Sequence, residues 1–213
     1  LTEMLQEMKA KGKRPLMFFL DYRKAFDTVP RRRIYERLKD IGVGHHTIQL
    51  ISGMYANTWS RIRIGDEVGE YFQTGKGVLQ GNSLSPILFD IYVDTLLKGI
   101  EGTGAVYRAD NGVEGALMYA DDAVFVCETA AQMKRCLLLC QDISQNMGLE
   151  ANILKCAIMT RGRFKWRDYD NFTWGGVPIP KVKFYKYLGL IIEQHGSWNM
   201  QSDKVLKKTI TQP

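Results

Sequence analysis

Two adjacent carboxylates inside an apolar run constrain the fold of this chain more than any other feature. Asp121 and Asp122 lie between the largely apolar residues 116–120 and 123–126, and each flanking segment is typical of a short buried strand. The pattern predicts a β-hairpin with Asp121 and Asp122 at its bend. Like charges beside a hydrophobic core raise each other's pKa, and a divalent cation bound to their oxygens would remove that cost. Taken alone, the pair is more simply interpreted as an ordinary polar turn.

A third carboxylate follows a second apolar run. Residues 16–20 are all large and apolar, which indicates a central strand buried on both faces, and Asp21 comes directly after it. If this strand and the hairpin are neighbours in one sheet, Asp21, Asp121 and Asp122 converge. Three convergent carboxylates can hold two divalent ions about 3.5–4 Å apart. Nucleases, phosphatases and polymerases all use such sites, so the carboxylates alone do not identify the reaction.

Two helices are predicted after Asp21. Pro30 begins the first and Gly42 ends it, and the second covers residues 45–55. Asp27 is expected to cap the first helix rather than to bind a metal. Arginines occupy positions 31–33, where the helix dipole disfavours them, which indicates either an anionic partner or a solvated charged face.

A hairpin and a glycine-rich loop come next. Residues 59–64 and 69–74 alternate polar and apolar side chains across a Gly-Asp turn, as in a β-hairpin. Residues 75–86 are rich in glycine and end at a helix start, so their backbone can approach a ligand closely. Their glycine spacing is not that of a dinucleotide-binding loop.

The C-terminal third contains one more well-marked helix. Thr129 and Gln132 match a capping box, and the helix is expected to extend to Met147. Basic and aromatic residues alternate over 161–167, as in a stacking face for nucleic acid, although a solvated loop is at least as good an interpretation. A final helix is expected to start near Ser197.

Composition narrows the class of protein. The chain has 213 residues, 45% of them hydrophobic, and a formal net charge of +6 that suits a polyanionic partner. Its four cysteines form no Cys-x-x-Cys pair, and with three histidines they give no zinc pattern, so a reduced, intracellular setting is expected. No segment is long and apolar enough to cross a membrane. Because the first residue is Leu, the chain is expected to be an excerpt from a longer polypeptide.

Five motifs in order resemble those of reverse transcriptases, most closely the enzymes of non-LTR (LINE-type) retrotransposons. They are, in turn, residues 19–27, residues 77–86, residues 119–122, Gly148-Leu149 with Asn152 and Lys155, and residues 187–189. Together they resemble the first palm motif, the loop and helix that support template and nucleotide, the catalytic hairpin, the following motif and the primer-grip region. The resemblance covers most residues from 18 to 192.

The resemblance implies a metal-binding and catalytic set. Asp21 and Asp121 would bind two Mg²⁺ ions, or Mn²⁺, with Asp122 assisting and the Tyr22 carbonyl completing a site. Lys155 would neutralise or protonate the leaving pyrophosphate, although a plain surface lysine is nearly as good an interpretation.

The resemblance also implies a nucleotide-binding set. Backbone amides from Arg23 through Lys24 and Ala25 to Phe26 would face the triphosphate of the incoming nucleotide. Phe26 lies at the family's steric-gate position, where its ring would exclude a 2′-hydroxyl; the alternative is a core aromatic. The nucleotide or the template would contact the pair Gln80 and Gly81.

The fold class implied is α+β: the palm of a right-hand polymerase, an antiparallel sheet backed by helices, with partial fingers and a truncated thumb. Residues 1–192 would form the palm with part of the fingers, and residues 193–213 the start of a thumb or connection helix. The implied function is RNA-directed DNA synthesis with an RNA template, a DNA primer and deoxynucleoside triphosphates, in the nucleus. The alternative is an inactive or domesticated relic that binds nucleic acid. A two-metal nuclease lacks support from the motif order.

Overall fold

The structure is a computed structural model that describes residues 1–161 and 172–195. Its helices are α1 (Thr2–Ala10), α2 (Ala25–Thr28), α3 (Arg31–Asp40), α4 (His45–Ala56), α5 (Leu84–Ile100) and α6 (Ala130–Met147). Its longer strands are β1 (Leu16–Leu20), β6 (Ala116–Tyr119), β7 (Asp122–Cys127), β8 (Ala157–Thr160), β11 (Phe184–Tyr187) and β12 (Leu190–Glu193). Its two-residue strands are β2 (Trp59–Ser60), β3 (Arg63–Ile64), β4 (Glu67–Val68), β5 (Phe72–Gln73), β9 (Thr173–Trp174) and β10 (Val177–Pro178).

A four-stranded antiparallel sheet in the order β6-β7-β1-β8 forms the centre of the fold. β1 lies between β7 and β8, with Leu20 paired to Ala123 and Phe19 paired to Ala157. All five residues of β1 are buried, as expected for a strand covered on both faces. The condition for convergence of the three carboxylates, that this strand and the Asp121–Asp122 hairpin are neighbours in one sheet, is therefore met.

The two faces of the sheet pack against different elements, because side chains alternate along each strand. On one face Leu16, Phe18 and Leu20 join a core that includes the buried sides of α3, α5 and α6. On the other face Met17 and Phe19 pack with α1 and with side chains of β11 and β12. The helices thus back one face, and the β11–β12 hairpin covers part of the other.

Local capping signals define the ends of α6 as predicted. The Thr129 hydroxyl accepts a hydrogen bond from the Gln132 amide at 3.1 Å, and the Gln132 side chain accepts one from the Thr129 amide at 3.3 Å. Gly148 ends the helix in the left-handed conformation, with φ of 76°. Cys136 and Cys140, on one side of this helix, are both buried and free.

The predicted hairpin over residues 59–74 is present as two short paired stretches. β2 pairs with β5, and β3 pairs with β4 across the two-residue turn at 65–66. The described side chains of this hairpin are mostly exposed, including Trp59 and Ile64.

Some predictions lie outside the described residues. These are the basic and aromatic alternation after Arg161 and the helix expected from Ser197, which includes nearly all of the proposed thumb segment. In the part of the chain that the structure describes, no helix has the length and apolar character needed to span a membrane.

Candidate active site

Asp21 lies at the end of the buried strand β1, where the sequence predicted a functional carboxylate. Its side chain is 17% exposed, and its Oδ1 atom is buried without a hydrogen-bond partner. The pairing of Leu20 with Ala123 brings the chain after β1 alongside the start of β7, so Asp21 emerges next to Asp122. A buried carboxylate oxygen without a hydrogen-bond donor is costly, and a cation bound to it would offset that cost.

The hairpin that carries Asp121 and Asp122 turns one residue earlier than predicted. Tyr119 pairs with Asp122, so the two turn residues are Ala120 and Asp121, and Asp122 is the first residue of β7. Ala120 has a φ of 52°, a conformation that costs a non-glycine residue about 1–2 kcal/mol. Strain of this kind at a turn is common at functional sites. The sequence pattern missed the bend because apolar Ala120 resembles a strand residue.

The three carboxylates interact electrostatically. Burial raises the pKa of Asp21 above its usual range; Lys155 opposes this shift, and the negative charge of Asp121 adds to it. Burial also raises the pKa of Asp122, and Asp121 and Asp21 raise it further while Lys155 lowers it. Both shifts disfavour the ionised carboxylate, and a cation beside these groups would oppose them.

Lys155 is the cation nearest to Asp21 in the described structure. Its ammonium nitrogen lies 3.8 Å from Asp21 Oδ1, which is close enough for an ion pair and too long for a hydrogen bond. The Lys155 side chain is 67% exposed, so its ammonium group is solvated and can move, which would leave Asp21 without its nearest cation. The structure therefore brings together Asp21, Asp121, Asp122 and Lys155 from three separate parts of the sequence.

Tyr22 contributes a buried side chain and an available carbonyl. Its ring is 3% exposed, and its hydroxyl shares a 2.6 Å hydrogen bond with Ser144 of α6. The Asn152 amide donates to Asp21 O and the Arg23 amide donates to Glu150 O, both at 2.8 Å. These bonds flank Tyr22, so its own carbonyl points to the opposite edge of the strand, which faces β7. That direction matches the role the sequence predicted for it.

The segment after Tyr22 is less open to a ligand than expected at one position. The Arg23 amide is already bonded to Glu150 O, and the Arg23 guanidinium lies 3.1 Å from the Glu150 carboxylate. Lys24 has a φ of 45° and is the N-cap residue of the short helix α2. The first amides of a helix have no hydrogen-bond acceptor within it. Of the predicted amides, those of Lys24, Ala25 and Phe26 stay candidates for a triphosphate.

The glycine-rich loop packs directly against this segment. The Val78 amide donates to Phe26 O at 2.8 Å, and the Gln80 amide group donates to the Asp27 carboxylate at 3.1 Å. A Cβ on Gly77 would lie 2.7 Å from the Asp27 backbone, so only glycine allows this approach. The structure thus joins the two predicted nucleotide-binding segments, and Gly81 lies at the turn that follows, with φ of 86°.

Asp27 does not cap the following helix, contrary to the prediction. It lies within α2, its carboxylate accepts from Gln80, and the residue before α3 is Pro30, which makes no side-chain cap. Thr28 and Val29 separate Asp27 from Pro30, so Asp27 lies before the N-cap position of α3.

Phe26 is half-buried, and its ring stacks on Phe89 of α5. The ring centroids are 4.2 Å apart and the planes differ by 19°. Phe89 itself is fully buried. One side of the Phe26 ring is therefore fixed by the core, which would give a steric gate a rigid support.

Arg31 has a structural role that its sequence position did not indicate. Its guanidinium donates to Gly77 O at 2.9 Å, to Tyr55 O at 2.8 Å and to Thr74 O at 2.8 Å. It thereby fastens α3 to the end of α4 and to the glycine-rich loop. Arg32, by contrast, is 89% exposed and pairs with Glu36. The helix-start arginines thus divide between carbonyl binding and a solvated face, and Arg31 is not open to an anionic partner.

An open groove of about 400 Å³ lies beside the hairpin turn, between α5 and β6. It is lined by Pro86, Asp90, Val93, Asp94, Leu97, Met118, Tyr119 and Ala120. Burial raises the pKa of Asp90, and Tyr119 is 68% exposed at the rim. The groove reaches the turn residue Ala120, next to Asp121 in the sequence, and contains none of the three carboxylates in its lining.

The donor set fits a hard divalent cation. Asp21 offers a buried oxygen without a donor, Asp122 and Asp121 add like charge, and carboxylate and carbonyl oxygens are the ligands that Mg²⁺ prefers. Within residues 1–161 and 172–195, no three acidic, histidine or cysteine side chains are close enough to form a finished metal cluster. The carboxylates are thus gathered at one edge of the sheet, and a cation would have to draw them closer.

Comparison with solved structures defines the class of fold. The chain superimposes on telomerase from Candida tropicalis in complex with a fragment of telomeric RNA, with a TM-score of 0.62 at 14% identity, covering 91% of this chain and 31% of that one. The apo telomerase truncated from the C-terminal domain gives a TM-score of 0.61 over 90% of this chain and 37% of that one. The fold is therefore the α+β palm of a right-hand polymerase, as predicted.

Sequence comparison defines the family. Residues 1–192 match the family described as Reverse transcriptase (RNA-dependent DNA polymerase), and the chain belongs to that family. It is 31% identical to the Pol polyprotein of the type-1 retrotransposable element R2 from Nasonia vitripennis, over 92% of this chain and 20% of that protein. It is 30% identical to the Pol polyprotein of the element R2DM from Drosophila melanogaster, over 80% of this chain and 17% of that protein. The chain thus spans about a fifth of the length of these curated relatives, and the predicted kinship with non-LTR retrotransposons is confirmed.

Proposed function

We propose that the polypeptide containing this chain copies RNA into DNA by adding deoxynucleotides to the 3′-hydroxyl of a primer. The observation that carries the proposal is the convergence of Asp21, Asp121 and Asp122 at one edge of the sheet, with an unpartnered oxygen on Asp21. Membership of the reverse transcriptase family selects polymerisation from the reactions that such a cluster supports.

Asp21, Asp121, Asp122 and the Tyr22 carbonyl are the groups that would hold two Mg²⁺ ions, or Mn²⁺. Such ions activate an attacking hydroxyl and stabilise the charge on the leaving phosphate. The residues of the chain would hold these ions in place. Burial and mutual repulsion raise the pKa of Asp21 and Asp122, and a bound cation would oppose both shifts because it favours the ionised carboxylate.

Lys155 is proposed to act on the leaving pyrophosphate. Its ammonium group is 3.8 Å from Asp21 Oδ1 and largely exposed, so it can turn from the carboxylate to a phosphate oxygen, and a cation bound to Asp21 would replace it there. In that position it would neutralise charge or give up a proton.

The incoming nucleotide is proposed to lie over the joined segments 24–26 and 80–81, with the ring of Phe26 beneath its sugar. The base-paired template and primer would lie on the open surface beside the hairpin turn, where Tyr119 is exposed. The positive net charge favours such a polyanionic partner, and its binding would weaken with salt. By its kinship, the parent polypeptide would act in the nucleus, and a fluorescent fusion tests that location.

Primer extension by the full-length polypeptide tests the proposal. We expect Asp21→Asn or Asp121→Asn to lower magnesium-dependent extension by roughly a thousandfold or more, because metal ligation supplies several kcal/mol of transition-state stabilisation. Asp142→Asn, a change on the exposed side of α6, is the matched control and should extend normally. Full extension by either active-site variant would refute the assignment, and salt-sensitive binding without turnover by the wild type would identify an inactive relic.

Phe26→Ala tests the nucleotide pocket. Removing the ring that stacks on Phe89 opens space beneath the sugar, so we expect incorporation of ribonucleotides to rise relative to deoxynucleotides by about tenfold or more, since a site discriminates by what it excludes. The ratio of the two kcat/KM values measures this. Phe89→Leu, which alters the support and keeps the Phe26 ring, should change the ratio less.

A further inference from the structure

Tyr185 joins the β11–β12 hairpin to the site through two contacts made by one side chain. Its ring stacks on Phe19, with centroids 4.0 Å apart and planes within 16°. Its hydroxyl donates a 3.2 Å hydrogen bond to the carbonyl oxygen of Lys155. Phe19 is two residues before Asp21, so the same ring contacts the strand that carries the first carboxylate.

These contacts close a ring around Asp21, called here the contact ring. The Asn152 amide donates to Asp21 O at 2.8 Å, and the Lys155 amide donates to Asn152 O at 2.9 Å. The Lys155 carbonyl then accepts from Tyr185, and the Tyr185 ring returns to Phe19. The backbone from Phe19 to Asp21 completes the contact ring, and each of its other links is a hydrogen bond or an aromatic stack.

The contact ring has a consequence for the exposed lysine. The Lys155 side chain is 67% exposed, and its ammonium nitrogen lies 3.8 Å from Asp21 Oδ1. That distance is too long for a hydrogen bond, so no such bond fixes the position of the ammonium group. The backbone position of Lys155 therefore determines which region its flexible side chain can reach. That backbone is bonded to Asn152 on one side and to Tyr185 on the other.

We propose that Tyr185 is a positioning residue, whose hydroxyl fixes the turn that carries Lys155 and so sets the backbone position from which the Lys155 side chain reaches Asp21. Tyr185 contacts no reacting atom in this arrangement and acts through Lys155. The inference rests on the proposed function for the catalytic effect of Lys155, and on the contact ring alone for its structural effect. Burial raises the pKa of Tyr185 to about 12, so its hydroxyl keeps the proton that it donates.

The kinetic test is a double-mutant cycle in the full-length polypeptide. Tyr185→Phe keeps the stack on Phe19 and removes the hydrogen bond. At saturating nucleotide we expect its maximal extension rate to fall up to roughly tenfold with KM unchanged, since a hydrogen bond of ordinary strength corresponds to about that factor. In a Lys155→Ala background the same change should cause no further loss, because both act through one group. Independent, multiplicative losses, or a wild-type rate for Tyr185→Phe, would overturn the proposal.

A structural readout keeps the proposal testable even if the polypeptide extends no primer. Hydrogen exchange of the amides in residues 152–156 should be faster in Tyr185→Phe than in the wild type, because one anchor of the turn is lost. Tyr107→Phe is the matched control: it deletes the hydroxyl that Tyr107 donates to Glu7 of α1, near the opposite end of β7 from the carboxylates, and should leave these amides unchanged. Unaltered exchange in Tyr185→Phe would refute the positioning role. Failure of the wild type to extend primers would refute the proposed function instead.

Discussion

Two hairpins of this protein have similar turns and different surroundings. One has the turn Tyr119-Ala120-Asp121-Asp122 and the other Tyr187-Leu188-Gly189-Leu190, and each has a tyrosine before a two-residue turn. In both, the first turn residue is a non-glycine with positive φ, 52° at Ala120 and 48° at Leu188. The turns alone would not separate their roles.

The strands explain the difference. β7 is central, and its residues from Ala123 to Cys127 are buried, so the hairpin tip is held rigidly at the edge of a packed sheet. β11 and β12 form a separate two-stranded sheet that lies on the other face mainly through Tyr185 and Tyr187, and Leu190 is 46% exposed. Charged groups that must keep a fixed geometry are carried by the buried hairpin, and the exposed hairpin supports them from outside.

Truncation of a core side chain in each hairpin should show the largest contrast. We expect Phe125→Ala in β7 to lower the free energy of unfolding by about 3–5 kcal/mol, because Phe125 is fully buried against Phe18. Ile192→Ala in β12, at a half-buried position, should cost less than about 1.5 kcal/mol. Urea unfolding measures both. Equal losses would mean that the second hairpin is as integral to the core as the first.

Relief of turn strain should show a smaller, shared effect. Ala120→Gly and Leu188→Gly each remove a Cβ from a left-handed residue, and we expect each to raise stability by up to about 1 kcal/mol. Only Ala120→Gly should also slow primer extension, because it loosens the turn that positions Asp121. If Leu188→Gly slowed extension equally, the second turn would have the same positioning role as the first.

The smallest expected effect comes from the charge at the first hairpin tip. Because the pKa of Asp122 is raised in the folded chain, its ionised form opposes folding above that pKa, and this cost disappears as pH falls toward the usual carboxyl range. With a chelator present, Asp122→Asn should therefore raise the free energy of unfolding at neutral pH. The gain should be about a few tenths of a kcal/mol, because solvent screens the charge. The gain should vanish near pH 4, where an unfolded carboxyl also takes up its proton.

Magnesium supplies the control for this last prediction. Adding Mg²⁺ at neutral pH should stabilise the wild type more than Asp122→Asn, since binding to the folded state adds stability. Thermal unfolding with and without the ion measures the difference. An Asp122→Asn chain that is less stable than the wild type in chelator would show that Asp122 stabilises the fold and is not held there at a cost.

Much of the fold could be predicted because its signals are local. The continuous apolar run at 16–20 and the flanks of Asp121 and Asp122 specify buried strands, and the Thr129–Gln132 capping box specifies where α6 begins. The bend of the first hairpin was misplaced by one residue, because the positive φ of Ala120 leaves no trace in the identity of an alanine. The cap expected of Asp27 failed for a related reason: its partner, Gln80, is distant in sequence.

The order of residues along the chain was enough to show which side chains could do chemistry: three carboxylates at the ends of apolar strands, and a glycine-rich loop between them. Which of these side chains meet depends on how the segments pack. In the folded chain Lys155 lies beside Asp21, Arg31 binds backbone carbonyls, and Tyr185 contacts the turn that carries Lys155. The physical reason is that strand and cap signals act over a few residues, whereas these contacts join segments that become neighbours only when the sheet and its covering elements pack together.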